Sequence, residues 1–185
     1  VLPGVVRGER GVCIGDRKIG MLAELAEAYP LVEQTFAEAS EVLDYDLWKL
    51  VQQGSQEAIN LTETTQPLLL SSSVAIWRIW QDLQGATPAA MAGHSLGEWS
   101  APVCAGGLDF GAAVNLVRLR GAYMQAAVPA GQGAMAATLG PADAQLAAGG
   151  GQARDGEEVP AGNVTATGQR CMAGGGDGCA SLLRG

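Results

Sequence analysis

A chain of 185 residues, 48% hydrophobic and 16% charged, can close one hydrophobic core and is too apolar to be disordered throughout. Its formal net charge of -8, with no cluster of Lys and Arg, excludes the positive face that a phosphate backbone requires, so nucleic acid is not expected as a partner. The opening residues, Val1-Leu2-Pro3-Gly4-Val5-Val6-Arg7, form no apolar run of secretory length, and the most apolar segment, Leu68 to Trp80, is broken by serines and Arg78; no membrane is expected, and a cytoplasmic protein is inferred.

From Ile19 to Leu43 apolar residues recur at helical spacing, through Met21, Leu22, Leu25, Ala26, Val32, Phe36, Ala39 and Leu43. This predicts two helices divided at Pro30, which lacks an N–H and clashes with the preceding turn. The run Thr64-Thr65-Gln66-Pro67 sets hydroxyl caps and a first-turn proline before Leu68, Leu69, Val74, Trp77 and Trp80. It predicts a helix ending near Gly85, with both tryptophans in the core. Pro88-Ala89-Ala90-Met91-Ala92-Gly93 is apolar, too short for a helix and bounded by Pro and Gly, and reads as a buried strand. A turn at His94-Ser95 leads into a helix from Leu96 to about Ala105, which Pro102 should kink or restart. Asp109 caps a further helix in which Phe110, Ala113, Val114, Val117, Met124 and Val128 recur. Helix, strand, sharp turn, helix is an α/β order.

Gly133 to Leu139 reads as a strand, and Pro141-Ala142-Asp143 opens a short helix that Gly149-Gly150-Gly151 stops. From Gly149 to Gly185 the chain is dense in glycine, with a strand only around Arg170 to Ala173. Such a composition has little apolar surface to offset its chain entropy, so a poorly ordered tail, or a corrupted stretch of sequence, is expected. The cysteines, Cys13, Cys104, Cys171 and Cys179, form no Cys-x-x-Cys pair, and His94 is the single histidine. The thiols therefore read as reduced and structural, and no metal or cofactor is expected.

Gly93-His94-Ser95-Leu96-Gly97 fits Gly-x-Ser-x-Gly, with an apolar segment before it and a helix after it. A nucleophilic serine projects from a strained turn, small flanking residues let the chain bend there, and the following helix N-terminus offers free N–H groups to a developing oxyanion. Ser95 is thus the candidate nucleophile and the Leu96 N–H the candidate oxyanion donor. His94, adjacent to Ser95 on a tight elbow, points elsewhere and reads as a packed, structural residue rather than a base. Glu98 complements the dipole of the helix it opens.

With this motif go Gln66-Pro67-Leu68-Leu69, Cys104-Ala105-Gly106, Leu116-Val117-Arg118-Leu119-Arg120-Gly121 with Met124-Gln125, and Gly133-Ala134-Met135-Ala136-Ala137. In order and spacing these blocks resemble the malonyl-CoA:acyl-carrier-protein transacylases of bacterial fatty acid synthesis, closely from about Gly20 to Gly140. The resemblance is to the N-terminal portion of that family. It implies an α/β-hydrolase-like core with a parallel sheet over residues 1–130. It also implies the start of a ferredoxin-like subdomain over 131–185, the C-terminal half of the family fold being absent. The activity implied is ping-pong transfer of malonyl from malonyl-CoA, through Ser95, to the phosphopantetheine thiol of acyl carrier protein, with the coenzyme A thioester as substrate and not cofactor. Arg120 matches the arginine that pairs with the malonyl carboxylate, for which a rigid two-pronged donor is suited. Gln66 matches at a helix entry and is a candidate pocket residue.

The chain departs from the family in two places. Ile14 stands where the family has the glutamine of its oxyanion hole, and isoleucine has only a backbone N–H to offer there. The family's catalytic histidine lies downstream, in a segment without a counterpart here. Two other readings accompany the leading one: a serine hydrolase or thioesterase, which would pass the acyl group to water, and a non-catalytic fragment that binds acyl carrier protein.

Overall fold

The structure, a computed structural model, describes residues 18–127 and the backbone of three strands between residues 133 and 175. The chain divides into two compact units, Val1–Tyr123 and Met124–Gly185. Ile14 and the expected helix after Pro141 lie outside the described residues.

In the first unit every regular element among the described residues is a helix. α1 (Ala23–Ala28) and α2 (Leu31–Leu43) are separated at Pro30, as the missing proline N–H requires. Two short helices follow that the apolar periodicity did not announce, α3 (Leu47–Gln53) and α4 (Gln56–Asn60). Their signals were polar: Asp46 accepts from the Lys49 N–H and Ser55 from the Ala58 N–H, each capping one orphan donor of a first turn.

α5 (Thr62–Asp82) starts a turn before its expected place. Leu61 is its N-cap, and Pro67 lies inside the helix rather than in its first turn. The Thr65 hydroxyl donates to the Ile59 carbonyl at 2.6 Å, back into α4, and so does not cap α5. The tryptophans also depart from expectation. Trp77 is half-buried and Trp80 exposed, with its indole N–H on the Ala86 carbonyl at 3.1 Å. α6 (Gly97–Cys104) runs through Pro102 without restarting, and α7 (Phe110–Ala127) begins where the Asp109 carboxylate accepts from the Ala112 N–H.

The core lies between α2, α5 and α7, filled by Val32, Phe36, Leu68, Leu70, Val114 and Val117, with the Trp48 ring edge-on to Phe36 at 5.0 Å. One side chain ties the three helices together. Arg78 of α5 donates to Thr35 and Glu38 of α2, at 3.1 and 2.6 Å, and lies over the Phe110 ring of α7, where the ring's negative face attracts the cation. Ser71, fully buried in α5, has no hydrogen-bond partner for its hydroxyl among the described residues. No described helix is long and apolar enough to cross a membrane.

The segment from Pro88 to Gly93 is not a strand. It has no regular structure and is exposed except at Met91. A strand exists only through a ladder with a neighbour, and the described residues of this unit supply none.

In the second unit β1 (Gly133–Leu139), β2 (Ala161–Ala166) and β3 (Gln169–Gly175) form an antiparallel sheet of order β1-β3-β2. The β1 register runs from Gly133 opposite Gly175 to Leu139 opposite Gln169, and irregularities interrupt the β2–β3 pairing. The glycine-dense stretch thus holds β3, over the strand expected around Arg170 to Ala173, and also β2, which was not expected. Central β3 has both its edges paired, so backbone bonding supplies what its side chains do not.

Candidate active site

The elbow at Ser95 is built from backbone constraints. Ser95 has φ 55°, a left-handed conformation that a residue with a Cβ adopts only where its surroundings impose it. The Gly97 N–H closes the turn onto the His94 carbonyl at 2.9 Å, and the Glu98 N–H reaches the Ser95 carbonyl at 3.2 Å. A Cβ at Gly93 would collide with the backbone of Gly97, whereas a Cβ at Gly97 would meet nothing within 4 Å. Of the two glycines in Gly-x-Ser-x-Gly, the first is thus the one that sterics demand. The Leu96 N–H, at the N-cap of α6, donates to no backbone carbonyl among the described residues. It remains available at the helix end, where partial positive charge collects.

Three of the residues singled out in the sequence meet here. The Arg120 guanidinium, from α7, donates through Nη2 to the Ser95 hydroxyl oxygen at 3.0 Å and through Nη1 to the Gln66 Oε1 at 2.7 Å. Gln66 is buried in α5 and Ser95 half-buried. The fork geometry of the guanidinium lets one cation hold both partners. Arg118, two residues earlier, bonds to Asn115 of its own helix, at 3.1 Å.

His94 is exposed, and so is not the packed residue expected; closing the turn turns its side chain to solvent while its carbonyl serves the elbow. Glu98 is exposed in the first turn of α6. Beside the elbow a groove of about 650 Å³ runs between α5 and α6, lined by Leu69, Ile76, Trp77, Met91, Leu96 and Cys104 among others. Cys104 is a free thiol, and partial burial pushes its pKa up, away from the reactive thiolate. No group of metal-ligating side chains occurs among the described residues.

Behind this site packs a residue that the sequence named only within its block, with no role attached. Gly121 follows Arg120 inside α7, and a Cβ there would lie 2.5 Å from the Thr62 carbonyl oxygen of α5. The signal was present, since glycine in a helix interior is about 1 kcal/mol less favourable than alanine and wants a packing reason.

The sequence model of the acyl transferase domain matches residues 15–152, a span that contains Gln66, the elbow and Arg120. The chain belongs to the acyl transferase domain family. Its relatives carry a more specific description. The malonyl CoA-acyl carrier protein transacylase of Escherichia coli K12 is 54% identical over 160 residues, which are 86% of this chain and 52% of that protein. The solved malonyl CoA-acyl carrier protein transacylase of Coxiella burnetii is 47% identical and superposes with a TM-score of 0.84, covering 92% of this chain and 54% of its own. A malonyl-transacylase solved in complex with a type II PKS acyl-carrier protein is 51% identical, with a TM-score of 0.82 over 91% of this chain and 54% of that one. This acyl transferase domain chain thus spans about half the length of the relatives it matches.

Proposed function

We propose that this chain carries the acyl-accepting half-site of a malonyl-CoA:acyl-carrier-protein transacylase, with Ser95 as the residue acylated. The observation that carries the reading is the Arg120 guanidinium held beside the Ser95 hydroxyl at 3.0 Å. A cation fixed next to a serine nucleophile suits an acyl group that ends in its own carboxylate, and a hydrolase of neutral esters would have no use for it.

The Ser95 oxygen attacks the thioester carbonyl carbon of malonyl-CoA, the C–S bond breaks, and the hydroxyl proton ends on the coenzyme A thiol. The Leu96 N–H faces the transient oxyanion, to which Ile14, having no side-chain donor, could add only its backbone N–H. Gln66 keeps Arg120 from swinging away while the guanidinium pairs with the malonyl carboxylate. The phosphopantetheine thiol of acyl carrier protein then attacks the serine ester, and Ser95 regains its proton. The reading needs no metal and no cofactor, since the coenzyme A thioester is consumed as substrate, and a cytoplasmic setting suits those substrates.

In this reading residues 1–130 belong to an α/β-hydrolase-like core with a parallel sheet, and 131–185 begin a ferredoxin-like subdomain. The antiparallel order of β1, β3 and β2 supports the second assignment.

Intact-mass measurement after mixing the chain with malonyl-CoA tests the proposal. A malonyl adduct is expected on the wild-type chain and none on Ser95→Ala. Release of free malonate without an adduct would favour a hydrolase, and an adduct on Ser95→Ala would remove Ser95 from the mechanism.

A further inference from the structure

We infer that Gly121 is a positioning residue for selection of a carboxylate-bearing acyl group, because it lets α7 touch the first turn of α5 and so sets the reach of Arg120 to Ser95. The inference rests on the reading of Arg120 proposed above.

Gly121 is buried in α7. A Cβ there would lie 2.5 Å from the Thr62 carbonyl oxygen and 2.7 Å from the Thr62 carbonyl carbon and Glu63 Cα. All three are backbone atoms, so no side chain can rotate to make room. Ordinary contact between such atoms needs roughly 3.5 Å, so a methyl group forces the two helices apart by the order of 1 Å.

That displacement acts on Arg120, the preceding residue, and Gln66, which sits on α5 one turn after Thr62. The two hydrogen bonds of the guanidinium, at 2.7 and 3.0 Å, lie within the usual range, and a shift of that size takes them outside it. Helix propensity favours alanine over glycine here, so the contact and not the helix accounts for glycine.

Intact-mass time courses should compare Ser95 acylation by malonyl-CoA and by acetyl-CoA, in wild type and in Gly121→Ala. The wild-type chain should prefer malonyl, and Gly121→Ala should lower the malonyl-to-acetyl ratio by about tenfold or more, the scale of a lost hydrogen bond to a charged group. Its acetyl rate should stay within about twofold, which a general loss of structure would not allow. An unchanged ratio in a folded variant, or an equal fall in both rates, overturns the inference. If Gly121→Ala unfolds, the double variant with Ser71→Ala, which removes a buried hydroxyl unpaired among the described residues, supplies a more stable background. Loss of the helical circular dichroism signal in both would make Gly121 a folding requirement and likewise overturn the proposal. A wild-type chain with no adduct, or with no preference for malonyl, instead overturns the reading of Ser95 or of Arg120 on which it stands.

Discussion

At the scale of single residues, the site joins a strained serine to a held cation. The left-handed conformation of Ser95 is of a kind that costs the order of 1–3 kcal/mol, and it persists where the surroundings over-determine it; here the turn bonds of Gly97 and Glu98 do so. Arg120 lies where a carboxylate two bonds from the reacting carbonyl could replace Ser95 as its partner. Arg120→Ala should therefore slow Ser95 acylation by malonyl-CoA by about 10- to 100-fold, the scale of a lost charge-assisted hydrogen bond. Acylation by acetyl-CoA should change little, because acetyl has no carboxylate to pair. Equal losses for both thioesters, measured by intact mass, would make Arg120 a structural residue.

At the scale of elements, α5 does the most to assemble the site. It contributes Gln66 to the guanidinium, Arg78 to the clamp across α2 and α7, and the backbone against which Gly121 rests. Its weak point is Ser71, fully buried with a hydroxyl that has no partner among the described residues. A buried donor without a partner costs about 1–3 kcal/mol in lost solvation, while alanine removes the group and favours the helix. Ser71→Ala should raise the stability of the helical unit by about 1 kcal/mol in urea unfolding. A lower midpoint would mean that the hydroxyl has a partner beyond the described residues.

For the molecule as a whole, the decisive quantity is where the Ser95 proton can go. Among the described residues the hydrogen-bond partner of the Ser95 hydroxyl oxygen is Arg120, a donor that cannot accept a proton. General base catalysis is worth roughly 10²–10⁴-fold, so the 185-residue chain should transfer malonyl to acyl carrier protein at least about 100-fold more slowly than the E. coli relative assayed beside it. A comparable rate would sink this expectation and turn attention to the exposed His94. The sequence by itself determined the helices whose apolar residues recur every three to four positions, the cap at Asp109 and the elbow motif, because helical periodicity, capping and tight turns are local properties of the chain. The motif also brought out Ser95, and the family resemblance Arg120 and Gln66, as residues scattered over three segments. Only the tertiary structure decided what depends on contacts between distant segments. Pro88 to Gly93 is apolar enough for a strand, but a strand needs a neighbour and the described residues offer none. Trp80 is apolar enough for the core, yet it lies on the outer side of α5 with its indole on the Ala86 carbonyl. The pairing of Arg120 with Ser95, and the closeness of α7 to α5 at Gly121 that sets it, arise from packing between helices far apart in sequence, which no local pattern encodes.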